Sequence, residues 1–356
     1  MKVKTIESQR DFAVGGRWLG EVYFKKQDYT NAKKMYAKAI MLLEQLKDDR
    51  ATIATLYQLS GAYSCLIELY IVLGDDNSAI NCLEKKIKVR ELIHSIVDNL
   101  QSQRQVALTY KQLGDILKNR DIEAAKSKYE YALKEFYSIR LKDDSADLLK
   151  TIKKCENALL DIYDNLAEIC LKKGDYHFAK RYYDRIVEIK YSNGDESTYT
   201  LHIKNKENDL LKYYEHLVAL FVKYNQLAYS IEYCSRALKL YEDNDEKLLT
   251  WESKMDLLMC KILLARIKKE NHKILDSIKD YEECVSITEN LINASTRLNS
   301  YRVAVVCYYE LLNLKTRKKQ HYKNNFESFC KKLIEKSICD DLSSFSVESY
   351  IKVGDW

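Results

Sequence analysis

The feature that most limits what this chain can become is a spaced set of small and aromatic residues, Leu19-Gly20-x2-Tyr23-x8-Ala32-x3-Tyr36-x2-Ala39. On a 3.6-residue period, Leu19, Gly20 and Tyr23 share one face of a first helix. Ala32, Tyr36 and Ala39 share one face of a second, and the polar stretch Lys25-Lys26-Gln27-Asp28 turns the chain between them. Gly20 and Ala32 fall where two antiparallel helices cross, and larger side chains there would hold the backbones apart. The tyrosines fill the space beside the crossing. Proline is absent from all 356 residues, where average usage of about 5% would give roughly 18. Long uninterrupted helices are therefore allowed.

Five further stretches echo the pattern. The first unit predicts helices over 6–26 and 31–46, with an exit turn at Lys47-Asp48-Asp49. In the second, a helix over 50–73 carries Leu66, Ile67 and Tyr70, then Gly74-Asp75-Asp76-Asn77, Ala79 and Leu83. Ile67 stands where the first unit has glycine. The third has Leu113-Gly114, Leu117, Ala125, Tyr129 and Ala132, with one residue lost from its turn, Lys118-Asn119-Arg120-Asp121. The fourth has Leu166, Ala167 and Cys170, then Gly174-Asp175-Tyr176, Ala179, Tyr183 and Ile186. Glycine there can end one helix at positive φ, and aspartate can cap the next. Looser units follow at Leu217, Val218, Phe221, Ser230, Cys234 and Ala237, and at Leu264, Ala265, Lys268, Ser277, Tyr281 and Cys284. A helical pair over 296–314 and 322–336 lacks the small residues and reads as a cap that hides the last apolar face. Residues 192–198 read as a loop, and 340–356 as a polar tail beyond a domain over 1–339.

The pattern resembles the tetratricopeptide repeat. The second-helix positions Ala32, Ala79, Ala125, Ala179, Ser230 and Ser277 recur at 46–54 residues, against about 34 in the standard repeat, so each unit has roughly three to five extra helical turns. Long-helix arrays of Pins-type polarity adaptors, kinesin light chains and Tonsoku-like proteins are similar. The resemblance implies an all-α, right-handed α-solenoid (superhelix) of about six helix pairs plus the C-terminal capping pair.

The sequence offers little to build a reaction from. No Gly-x4-Gly-Lys-Ser/Thr loop, Gly-x-Gly-x2-Gly or His-Glu-x2-His occurs, and the nine glycines are scattered. The six histidines stand apart. His177 reads as a solvated turn residue, and Cys155 and Cys170 as core packing rather than metal ligands. The ten cysteines never form Cys-x2-Cys and read as small buried residues of a reducing compartment. The start has no apolar leader and the chain no run of about 18 apolar residues, so an intracellular protein without a membrane span is expected. A net charge of +5 is too weak to imply nucleic acid. The basic run Leu314–Lys323 reads as an inter-helix turn, with a nuclear import signal or phosphate-binding patch as its functional alternative. No enzyme, cofactor or metal is expected. The 28 tyrosines read as inter-helix filling whose hydroxyls reach solvent.

The resemblance further implies that first helices line a concave groove where a partner segment lies. The residue after each Leu-Gly pair would face it, giving the acidic row Glu21, Glu68, Asp115 and Glu168, which then changes to Ala219 and Arg266. Neighbouring groove positions are Arg17, Phe24, Ser64, Ile71, Lys111, Lys118, Asp164 and Leu171. Glu21 and Glu68 stand where chaperone-tail clamps of this family carry asparagine, which argues against such a clamp. The implied role is a scaffold or adaptor for a protein or peptide partner, basic or amphipathic. A chromatin-associated Tonsoku-like adaptor and a peptide-sensing regulator are the alternatives.

Overall fold

The computed structural model describes residues 5–50, 52–191, 201–244, 251–294, 297–314 and 316–339. The expected loop at 192–198, the tail at 340–356 and Lys315 of the basic run lie outside them. Among the described residues the protein is an all-α solenoid with no strand. Its helices form two compact units, Met1–Ile189 and Lys190–Trp356.

In the first unit, α1 (Ile6–Lys25) pairs with α2 (Tyr29–Arg50), α3 (Ile53–Val72) with α4 (Asp76–Val97), and α5 (Leu100–Leu117) with α6 (Ile122–Arg140). The pair α7 (Ala146–Lys173) and α8 (Tyr176–Tyr191) follows. Its rings Tyr163 and Tyr182 stack at 5.8 Å. Along α1–α7 each helix also packs on the next in chain order, and α1 touches α3. In the second unit, α9 (Leu201–Lys223), α10 (Leu227–Asn244), α11 (Trp251–Glu270), α12 (Ile274–Ala294), α13 (Leu298–Asn313) and α14 (Lys319–Cys339) pack in the same sequential way. Residues 47–50 continue α2 rather than turning. Nothing there breaks a helix, and the chain restarts only at Thr52, whose side chain accepts from the Thr55 N–H as the N-cap of α3.

The small-residue rule appears in the packing as a volume rule. A Cβ on Gly20 would lie 2.7 Å from the Tyr36 ring, and one on Gly114 would lie 3.0 Å from the Tyr129 ring. In the second pair Ile67 takes the glycine's place and Leu83 the tyrosine's, both fully buried. In the fifth the two are Val218 and Cys234. Where serine replaces the crossing alanine it bonds across to the facing helix. Ser230 Oγ donates to the Val218 carbonyl at 3.3 Å, and Ser277 Oγ to the Ala265 carbonyl at 2.8 Å.

The turns within pairs share one left-handed residue, Gln27, Gly74, Gly174, Asn225 or His272, each at positive φ. The residue after it closes a wider backbone bond to the ending helix, as in Asp28 N–H to the Tyr23 carbonyl and Asp75 N–H to the Tyr70 carbonyl. The third pair lacks this residue, and there Asp121 N–H bonds the Leu117 carbonyl instead. The deletion legible in the sequence is thus the loss of the left-handed position. Asp28 and Asp75 also cap the following helices. Bonds from Asn31 and Ser78 hold their carboxyls below the usual range.

Four tyrosine hydroxyls at the junctions between pairs end on carboxylates. Tyr63 donates to Glu44, Tyr110 to Glu91 at 2.8 Å, Tyr137 to Glu156 at 2.6 Å and Tyr308 to Glu289 at 2.8 Å. Each of these bonds ties the second helix of one pair to the first helix of the next. Burial and the adjacent carboxylate push all four hydroxyls above the ordinary tyrosine range. At these four junctions the hydroxyls bond a neighbouring helix, where the sequence suggested only that they reach solvent. A half-buried phenol gains more from a fixed carboxylate than it would leave unpaired.

Candidate partner-binding face

The expected groove residues of the first two pairs lie on α1 and α3, which pack on each other. Arg17 reaches from α1 onto α3, where its Nη1 would lie 3.3 Å from a Cβ at Gly61. Gly61 thus makes room for a guanidinium. Burial raises the Tyr36 hydroxyl first, and Cys65, Glu21 and Glu68 raise it further, while Arg17 opposes them. The charges of these four groups thus reach the tyrosine that fills the first crossing. Ser64 lies on the same helix, its Oγ donating to the Ser60 carbonyl at 3.0 Å. Phe24 is half-buried, its ring 5.9 Å from Tyr29, and Ile71 is exposed.

A second group forms between α5 and α7. Lys118 pairs with Asp161 at 3.0 Å and Arg104 with Asp147. Lys111 pairs with Asp115 at 2.8 Å, and Tyr129 donates its hydroxyl to the same carboxylate. Asp164 and Glu168 are exposed on α7. Leu171 departs from its expected place. It is 4% exposed and belongs to the core, so it offers a partner no surface.

The acidic row is less negative than its sequence suggests. Glu21 pairs with Lys25 at 3.4 Å, Asp115 with Lys111, and Glu168 with Lys172 at 3.6 Å. Each lysine is four residues away on the same helix. Exposed pairs of this kind are worth about 0.2–1 kcal/mol, so an incoming cation can displace the lysine at small cost. Glu68 is exposed and has no ion pair among the described residues.

Sequence reasoning missed a cleft of about 470 Å³ on another face of α3. It is lined by Tyr63, Leu66 and Tyr70 of α3, Met41 and Glu44 of α2, and Cys82 and Lys85 of α4. No local sequence signal marks it, because the Glu44–Tyr63 bond among its lining residues joins two different helices.

Other singled-out residues take structural places. Cys155 is buried, its Sγ 3.7 Å from the Tyr129 carbonyl, and burial pushes its thiol up to about 12. His177 is exposed beside Phe178. Ala219 is exposed on α9, and Arg266 pairs with Glu310 at 3.4 Å. The described part of the basic run forms the α13–α14 turn and the start of α14, where Lys318 pairs with Glu282 at 2.8 Å. Among the described residues no three His, Cys, Asp or Glu side chains could hold a metal ion, and no helix is long and apolar enough to cross a membrane.

The tetratricopeptide repeat family matches the chain at residues 18–44 and 160–193. No curated protein matches it. Among solved structures, BtubC (BKLC) from P. vanneervenii is 20% identical, with 69% of this chain and 91% of that chain covered and a TM-score of 0.30. The S. pombe nuclear import adaptor Nro1 is 9% identical, with 98% of each chain covered and a TM-score of 0.34. The TPR2AB domain of yeast Sti1, solved in a pHSP90 complex, is 14% identical, with 83% of this chain and 98% of that chain covered and a TM-score of 0.27. The two matched segments fall on α1–α2 and α7–α8, so the chain carries tetratricopeptide repeats in its first and fourth helix pairs.

Proposed function

We propose that the protein is a non-catalytic interaction scaffold, and that a basic, amphipathic partner segment lies along the first-helix face of the first unit. The observation that supports this reading most is the α1–α3 contact. It joins the helix that carries Arg17 and Glu21 to the one that carries Glu68, and the charges of all three act on the Tyr36 hydroxyl, with Ile71 exposed on the same helix as Glu68. A partner's apolar residue on Ile71 would supply affinity, and its cations on Glu68 and Glu21 would set orientation and association rate.

The test is a pull-down from native cell extract that compares wild type with Glu68→Lys/Glu168→Lys. Asp115 is spared because it holds the Tyr129 hydroxyl, and its reversal would disturb the core. Partners captured by wild type should be lost or strongly depleted, with helicity and melting unchanged. Equal capture by both proteins would remove the acidic row from the reading.

A further inference from the structure

The first unit has an apolar face that no other helix of the described residues covers. In the later pairs, the leucine before the small residue is covered by the preceding pair's second helix. Leu66, Leu113 and Leu166 are 6%, 1% and 5% exposed. Leu19 occupies the same position in α1 and is 45% exposed. The register extends along the helix. Phe12 corresponds to Leu59 and Val22 to Leu69, both fully buried in α3, yet Phe12 is 78% exposed and Val22 about half. Phe12, Gly15, Leu19 and Val22 follow helical spacing on one side of α1, with Trp18 at its edge. A Cβ on Gly15 would meet nothing within 4 Å, so the stripe has a notch at its centre.

We infer that this face pairs with the same face of a second copy, with the two α1 helices antiparallel across a two-fold axis that crosses the stripe midway between Gly15 and Leu19. The stripe is self-complementary about that point. Phe12 of each copy falls opposite Val22 of the other, and Leu19 falls opposite the Gly15 notch. Glu7, in the first turn, meets the end of the other helix, where Lys26 caps it. Neither Glu7 nor Lys26 has an ion pair among the described residues, and both are exposed. Antiparallel alignment also opposes the helix dipoles favourably. The four large side chains expose on the order of 400 Å² per copy. That is about half of what a standard interface takes from each partner, so the dimer is weak and forms at micromolar concentrations. The inference is independent of the proposed partner face.

Sedimentation velocity and light scattering of the full chain, from about 1 to 200 µM, test it. Wild type should move from monomer to dimer over that range. Phe12→Glu should stay monomeric with unchanged far-ultraviolet circular dichroism, since Phe12 makes little contact in the monomer. Glu7→Lys should weaken the dimer roughly tenfold, because the axis repeats the pair, and Glu7→Lys/Lys26→Glu should restore it. A monomer at every concentration overturns the inference and leaves the face to another protein's helix. So does a dimer whose mass survives Phe12→Glu, or a double variant that stays as weak as the single.

Discussion

The first and second helix pairs solve one crossing in opposite ways. In the first, Gly20 clears space that Tyr36 fills. In the second, Ile67 and Leu83 divide the same space between two medium side chains. The closing position differs as well. Ala39 and Ala132 are buried in the first and third pairs, whereas the second places Lys86 there, also buried, with its Nζ 3.4 Å from Gln112 Oε1. Helix pairing in this chain therefore accepts either glycine against a large ring or two medium side chains at the same crossing, and residue identity there is not fixed.

The largest expected effect breaks that trade directly. Gly20→Ile drives a Cβ into the Tyr36 ring and should cost about 1–3 kcal/mol or more in urea unfolding. Gly20→Ile/Tyr36→Leu, which copies the second pair, should recover most of the loss. A double variant no more stable than the single would show that the volumes do not exchange.

Lys86 sharpens the contrast next. Burial and the Arg90 charge push its ammonium down to about 8. The folded pKa lies below the unfolded one, so the stability tied to this group is present above about 10.5 and is lost as pH falls toward 8. Lys86→Met should be more stable than wild type at pH about 7, by ~2 kcal/mol. The difference should shrink as pH rises toward 10, and a constant difference would contradict it. The tyrosine–carboxylate ties have the opposite sign. Their hydroxyl pKa values are raised, so their contribution is intact below pH about 10 and fades above it in both proteins.

Serine in the crossing position comes third. Ser277→Ala removes a 2.8 Å bond and Ser230→Ala a 3.3 Å one, so the first should cost about 1 kcal/mol and the second less. Equal losses would assign serine a packing role alone. The smallest effect lies in the turns. His272→Gly should stabilise by about 0.5–1 kcal/mol, because His272 holds a left-handed backbone. Gly174→Ala, at φ 80°, should cost about as much. Thermal melts of both, with opposite shifts, check the shared turn geometry.

Much of the helix layout was legible beforehand because its causes are local. Apolar spacing, the Gly74 and Gly174 turns and the Asp75 and Asp121 caps act within a turn or two of chain. The acidic row was legible as residues but not as charge. Lys111 beside Asp115 follows from i,i+4 spacing, whereas the Tyr129 hydroxyl on that carboxylate and the Lys118–Asp161 pair come from other helices. Gln27, Asn225 and His272 carried no glycine signal for their left-handed backbone.

By itself the amino-acid order determined that this protein is built of antiparallel helix pairs with small residues where they cross. Hydrogen bonding and side-chain periodicity within one segment suffice for that. Only the tertiary structure decided that Leu19 is uncovered while Leu66 is sealed, that Leu171 is core, and that Tyr63 and Tyr110 end on carboxylates. Those outcomes depend on which helix packs against which, and a residue's covering neighbour across a pair junction lies beyond the reach of local sequence.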